Sequence, residues 1–143
     1  MEQYRRTHKK EIITYSKNYQ KKNQEKINRY RSNKLNTDID FKLSHYLRAR
    51  IRLALKGNPK LSTTMKLIGC HIDLLKLHLQ SKFKPGMSFS NYGKWHIDHI
   101  IPCARFDLTK KSEQEICFNY KNLQPLWAEE NCSKGTKNYL EVL

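Results

Sequence analysis

The clearest pattern of apolar and polar positions lies in the middle of the chain. Four apolar residues recur there at helical spacing: Leu43, Leu47, Ile51 and Leu55. They predict a helix with one buried face, which ends at Gly57. Asp38 or Asp40 is expected to cap its start, because a carboxylate at that position accepts hydrogen bonds from free backbone amides.

Shorter patterns downstream complete a mixed architecture. Helical spacing recurs around residues 63–68 and 72–82, and a turn at 91–93 leads into an apolar strand that begins near Lys94. Large apolar residues in this strand and in a second one predict a hairpin packed on helices: Trp95, Ile97, Ile100, Leu123, Leu126 and Trp127. The expected fold class is therefore α+β.

The connection between the strands and the segment after them are expected to be helical. Residues 112–115 have capping-box spacing, which predicts a short helix that includes Ile116 and Phe118. A final helix should start near Ala128 and place Asn131 and Lys134 on neighbouring positions of one face.

Positive charge is concentrated in the first part of the chain. Residues 1–60 contain 17 Lys and Arg against 5 Asp and Glu, and residues 61–143 contain 11 against 8, so net charges of +12 and +3 sum to +15. This one-sided excess favours a polyanion partner, whose counterions are released on binding. A membrane surface is the weaker alternative, because the basic segment lacks the bulky apolar face of an interfacial helix.

Three segments are expected on these grounds. Residues 1–37 form a basic arm, helical or partly disordered, with a thin apolar stripe and a weak repeat of fourteen to fifteen residues. Residues 38–60 form the basic amphipathic helix, and residues 61–143 form the remaining module. If the arm is helical, its length of about 50 Å would let it track phosphates along a duplex.

The best candidate chemistry follows the first predicted strand. Asp98 and His99 are adjacent, and Asn122 and Asn131 come 23 and 32 positions after His99. Histidine is the side chain best suited to exchange protons near neutral pH, so His99 can take a proton from water. Carboxylate and amide oxygens at Asp98 and Asn131 suit Mg²⁺ and leave it open positions for water and phosphate. Together these groups could hydrolyse a phosphodiester.

These residues resemble the HNH family of ββα-metal nucleases, and in particular small HNH homing-type endonucleases of phages and large viruses. The positions that match the family motif are Asp98, His99, Asn122, Lys134 and Gly135. Asn131 stands where the family pattern has histidine, a substitution also found in the HNH domains of RNA-guided nucleases. The motif covers residues 94–137 of the expected module.

The resemblance implies a role for each of these positions. Asp98 and Asn131 would hold the metal. His99 would activate water, and Asn122 would tie down the loop that aims it. Asparagine at the last motif position favours an oxygen-liking metal, namely Mg²⁺ with Mn²⁺ as the alternative.

Further residues are candidates for contact with nucleic acid. Three arginines lie off the apolar stripe of the amphipathic helix, where they could pair with phosphates or form a solvated basic face: Arg48, Arg50 and Arg52. Lys134 is expected beside the substrate backbone, and Arg105 could act similarly. His96 could either approach the scissile phosphate or fill the face of the strand.

The cysteines carry no local signature of a metal site. The chain has four of them, without a Cys-x-x-Cys pair: Cys70, Cys103, Cys117 and Cys132. We therefore expect reduced thiols and no zinc, with a zinc site built from dispersed cysteines as the alternative. The sequence has no signal peptide and no apolar run of membrane length, which favours an intracellular location.

The predicted function is Mg²⁺-dependent hydrolysis of double-stranded DNA, by nicking or by double-strand cleavage. A homing endonuclease of a virus or mobile element is the favoured setting. Two alternatives stay open: a nucleic-acid-binding protein with an inactive motif, and an RNA-directed nuclease. The sequence does not decide whether the protein forms a homodimer.

Overall fold

The computed structural model describes residues 2–137 and shows an α+β protein, as predicted. It contains helices and one antiparallel sheet of two strands. The chain divides into two compact units, one up to Lys42 and one from Leu43 onward. None of the described helices is both long and apolar enough to cross a membrane.

The described residues of the basic arm are helical and contain no buried side chain. Its helices are α1 (Glu2–Thr7), α2 (Lys9–Lys22) and α3 (Gln24–Thr37). The breaks between them fall at His8 and Asn23, which are separated by the length of the sequence repeat. Backbone hydrogen bonds of 3.0 Å from Ile12 to His8 and 2.9 Å from Ile27 to Asn23 continue the helical pattern across both breaks.

Helix α4 (Ile39–Leu55) confirms the predicted apolar stripe. Its four stripe residues are between 0 and 3% exposed: Leu43, Leu47, Ile51 and Leu55. Of the two candidate caps, Asp38 precedes the helix, and its Oδ1 accepts a hydrogen bond of 3.0 Å from the backbone amide of Phe41.

Two short helices follow where helical spacing predicted them, α5 (Thr64–Ile68) and α6 (Ile72–Gln80). Thr63 caps α5 by accepting from the Lys66 amide at 3.3 Å. Gly69 ends α5 in the left-handed conformation with a φ of 76°. A Cβ atom on this glycine would lie 2.7 Å from the side-chain amide nitrogen of Asn119, so that side chain would have to shift in addition to the strain of the positive φ.

The short helix predicted between the strands is present and contains Ile116, but its two ends differ from the prediction. Helix α7 spans Lys111–Cys117, so it begins one residue before Ser112, and Phe118 is its C-cap. The N-cap is Lys110, whose side chain makes no capping hydrogen bond. The capping-box prediction at residues 112–115 was wrong, because Ser112 already lies within the helix.

The sheet and the last helix form a compact ββα arrangement. Strand β1 (Trp95–His99) pairs with β2 (Leu123–Trp127), and Trp95 lies opposite Trp127. Helix α8 (Ala128–Lys134) follows β2 without a break, which confirms the predicted start at Ala128. Trp95 is fully buried, and its indole nitrogen donates to the carbonyl of Ser88 at 2.8 Å. The hairpin is therefore anchored to the preceding loop as well as to helices.

Candidate functional site

A cleft of about 490 Å³ opens in the second unit beside the end of β1. Five of the residues that line it come from α4, β1 and α8: Arg50, Asp98, His99, Asn131 and Lys134. The fold thus brings together the expected base, the two expected metal ligands and two basic residues that are far apart in sequence. The position of α8 directly after β2 produces this arrangement, because it packs α8 against β1 through Lys134 and places Asn131 in the lining of the same cleft.

The Asp98 carboxylate forms a buried ion pair at one end of the cleft. Asp98 is 6% exposed and Lys134 is 2% exposed. The Lys134 ammonium donates to Oδ2 of Asp98 at 2.7 Å and also to the backbone carbonyl of His99. Gln124 donates to the same oxygen at 3.3 Å. Since both bonds end on Oδ2, Oδ1 of Asp98 keeps its acceptor capacity.

The location of Lys134 differs from the expectation that it lies beside a substrate backbone. It lies on the buried face of α8, where its ammonium has two acceptors from β1. A buried ammonium requires such partners, because an unpaired charge in this environment would be strongly destabilising. Sequence spacing gave the correct helix but not the direction of this side chain.

Asn122 fixes the loop that follows β1. Its Oδ1 accepts from the amide of Ile101 at 2.9 Å, and its Nδ2 donates to the carbonyls of Ile101 at 3.0 Å and Cys117 at 2.9 Å. Its own carbonyl accepts from the amide of Ile100 at 2.8 Å. Three of these hydrogen bonds hold the chain immediately after His99 and the fourth ties it to Cys117, which is the geometry that a positioning role requires.

His99 also lies in a cluster of soft ligand atoms, which we call the thiol cluster and which consists of His99, Cys103 and Cys117. One nitrogen or sulfur atom from each residue lies within 4.8 Å of the others. The Cys117 thiol donates to the sulfur of Cys103 at 3.4 Å. This hydrogen bond, with a smaller effect from His99, lowers the pKa of the Cys103 thiol to about 5.

Sequence reasoning did not find the thiol cluster. Cys103 and Cys117 are fourteen positions apart, and no short motif connects them. They meet because Asn122 holds the carbonyl of Cys117 and the backbone of Ile101, which lies two residues before Cys103. The hydrogen bonds of Asn122 to these two distant segments reveal the arrangement, which the sequence alone does not.

The other candidate residues are placed around the cleft or away from it. Arg48 and Arg52 line a second cavity, of about 550 Å³, on the outer surface of α4. Arg105 is exposed. His96 is half-buried opposite Leu126, outside the described lining of the cleft. Burial, and then the positive charge of Arg50, lower the pKa of His96 and favour its neutral form.

Comparisons with known proteins identify viral relatives. The chain is 36% identical over 124 residues to "Uncharacterized protein L426" of Acanthamoeba polyphaga mimivirus, a match that covers 86% of this chain and 55% of that protein. It is 39% identical over 90 residues to "Uncharacterized protein L246" of the same virus, covering 62% and 39% respectively. The chain thus spans about half or less of these curated relatives. No family model matches the chain, and no solved structure matches it.

Proposed function

We propose that the chain is a metal-dependent DNA endonuclease of the HNH type, which hydrolyses phosphodiester bonds. One observation carries the proposal: Asp98, His99 and Asn131 line the same cleft. The side-chain hydrogen bonds of Asn122 support it, because they hold the loop after His99, as a residue that positions the base must do.

The cleft has ligand atoms suited to a hard divalent cation, which we expect it to bind with modest affinity. Oδ1 of Asp98 and the side-chain oxygen of Asn131 are the ligands that Mg²⁺ or Mn²⁺ would use. Lys134 pairs with Asp98, and the other carboxylate that lines the cleft, Asp107, pairs with Lys110, so neither carboxylate offers the cation an uncompensated negative charge. A phosphate of the nucleic acid would supply the missing charge, and we expect metal and DNA to bind cooperatively.

Each residue of the site would have a separate role in the hydrolysis. His99 takes the proton from the water that attacks phosphorus, while Asn122 holds its loop in place. Arg50, which also lines the cleft, pairs with a non-bridging oxygen of the phosphate. When bound, the cation supplies Lewis-acid stabilisation of the charge on the leaving oxygen.

Charge supports double-stranded DNA as the partner. The net charge of the chain is +15, and the described arm presents its basic residues on helices without buried side chains. Such a surface gives sequence-independent affinity that falls with salt. The setting that we propose is a homing endonuclease of a virus or mobile element, and the viral origin of the two relatives supports the viral part of this proposal.

Cleavage of supercoiled plasmid tests the proposal. We expect nicked or linear product with Mg²⁺ and none with EDTA. His99→Ala should cleave about 10² to 10⁴-fold more slowly, because it lacks the base. His71→Ala is the matched control, since His71 is exposed before α6 and outside the described lining of the cleft. Equal rates for wild type and His99→Ala would refute the assignment of the base.

A nucleic-acid-binding protein with an inactive motif is the second candidate. The buried pair of Lys134 with Asp98 favours it, because an ammonium already occupies one carboxylate oxygen that a metal could use. Binding without cleavage by the wild type, with Mg²⁺ or Mn²⁺ and on plasmid and viral genomic DNA, would support this candidate. Competition between duplex DNA and RNA at fixed salt would test the choice of nucleic acid.

A further inference from the structure

The thiol cluster has the composition of a site for a thiophilic metal. It offers two sulfur atoms and one imidazole nitrogen from three separate segments: the end of β1, the turn at 103–105 and the end of α7. This donor set is typical of Zn²⁺ and related cations and is poorly suited to Mg²⁺.

The distances within the cluster suit a shared cation. Two thiolates bound to one tetrahedral Zn²⁺ lie about 3.8 Å apart, since each Zn–S bond is about 2.3 Å long. The sulfur atoms of Cys103 and Cys117 are 3.4 Å apart, so these two atoms would have to separate by only a few tenths of an ångström to bind one ion. Bonding the two sulfurs to each other would require a larger closure, to about 2.05 Å.

The cluster is accessible from one side. Cys117 is buried, whereas His99 and Cys103 line the cleft. A cation held by all three residues would therefore have a fourth position facing the cleft, where water could bind. Two thiolates and a neutral imidazole would balance the charge of a divalent ion.

We propose that His99, Cys103 and Cys117 bind one Zn²⁺ or similar thiophilic divalent cation. The proposal departs from the expectation of no zinc, which rested on the absence of a local Cys-x-x-Cys pair. A second part rests on the proposed nuclease function: Zn²⁺ at this site engages His99 as a ligand, so His99 no longer takes a proton from water. Zn²⁺ would then inhibit the Mg²⁺-dependent reaction from a site separate from the Mg²⁺ ligands.

Metal binding is tested without reference to activity. The full chain, kept reduced with a phosphine, is titrated with Co²⁺ while thiolate-to-cobalt charge-transfer absorption is recorded, and Zn²⁺ stoichiometry is measured by competition with a chromophoric chelator. We expect one Zn²⁺ per chain and a thiolate absorption band. Cys103→Ala and Cys117→Ala should lose the band and weaken Zn²⁺ binding at least about tenfold.

Two variants keep this test interpretable. Cys70→Ala/Cys132→Ala removes the two thiols outside the cluster and should bind like wild type. Cys103→Ala affects a half-exposed side chain, so its binding result stands even if Cys117→Ala, at a buried position, fails to fold. Zn²⁺ binding that survives in Cys103→Ala, or that is lost in the double variant, would overturn the proposed site.

Plasmid cleavage tests the inhibitory role. Each protein is compared with its own zinc-free rate at constant Mg²⁺. Stoichiometric Zn²⁺ should slow the wild type about 10² to 10⁴-fold, the scale of losing a general base, and should slow Cys103→Ala much less. Equal inhibition of both proteins would overturn the inhibitory role. If the wild type cleaves neither plasmid nor viral genomic DNA even without Zn²⁺, the nuclease proposal and the inhibitory role both fail, whereas the cation site is judged by the binding data alone.

Discussion

Replacing Lys134 with methionine removes the ammonium from the buried pair and keeps a side chain of similar length. The change leaves the carboxylate of Asp98 without its charged partner and the carbonyl of His99 without its donor. Both groups lie in the ββα arrangement at the edge of the cleft. We expect Lys134→Met to lower the free energy of unfolding substantially.

The magnitude follows from burial. Breaking a buried ion pair by removing one partner costs about 3–5 kcal/mol, because the remaining charge is uncompensated. Domains are usually stable by about 5–15 kcal/mol, so the variant should lose a large part of its stability. The ion pair of Lys84 with Glu130 is about as close as that of Lys134 with Asp98, at 2.8 Å against 2.7 Å, but it is substantially exposed. Lys84→Met should therefore lower the free energy of unfolding by only about 0–1 kcal/mol.

Urea unfolding monitored by tryptophan fluorescence measures the effect, because Trp95 and Trp127 lie opposite each other in the hairpin. Asp98→Asn/Lys134→Met removes both charges, so its cost should be clearly less than the sum of the two single costs. The reasoning is refuted if Lys134→Met costs no more than Lys84→Met, or if the costs of the two single substitutions add.

Two further predictions concern the loops that hold the site. Asn122→Ala removes three side-chain hydrogen bonds and should lower the free energy of unfolding by about 3 kcal/mol. Asn119→Ala, which removes one hydrogen bond that caps a turn, should lower it by about 1 kcal/mol. Urea unfolding measures both losses, and equal losses would contradict the role of Asn122 in holding the loop. Gly69→Ala should lower the melting temperature more than Gly57→Ala. Both glycines have a positive φ, but of these two only Gly69 would place a Cβ within 4 Å of a neighbour, Asn119. Thermal unfolding compares the two variants, and a larger fall in melting temperature for Gly57→Ala would contradict the prediction.

Features with a local cause were predictable from the sequence. The stripe of α4 follows from apolar residues at helical spacing, and Asp38 was one of the two caps that the sequence offered. The two strands of the hairpin and the start of α8 at Ala128 also follow from short local patterns of apolar and polar residues. The α+β class was confirmed because each helical or strand pattern is local and can be read on its own.

Features that depend on side-chain direction or on distant partners were not predictable. Spacing placed Lys134 correctly on α8, yet only the tertiary structure reveals that it faces β1 and is buried. The capping-box pattern failed at Ser112, because the helix begins at Lys111. Cys103 and Cys117 approach each other through contacts made by Asn122, for which the sequence contains no local signal.

The repeat of the basic arm has a geometric consequence. Tyr4, Tyr15 and Asn18 recur fifteen positions later as Tyr19, Tyr30 and Asn33, the same interval that separates the breaks at His8 and Asn23. Fifteen residues make four helical turns and about 60° more, so equivalent side chains rotate about the axis from one repeat to the next. Because the rotation follows the sense of the helix, the repeated surface is a right-handed spiral, and a partner that contacts every repeat has to follow a curved path.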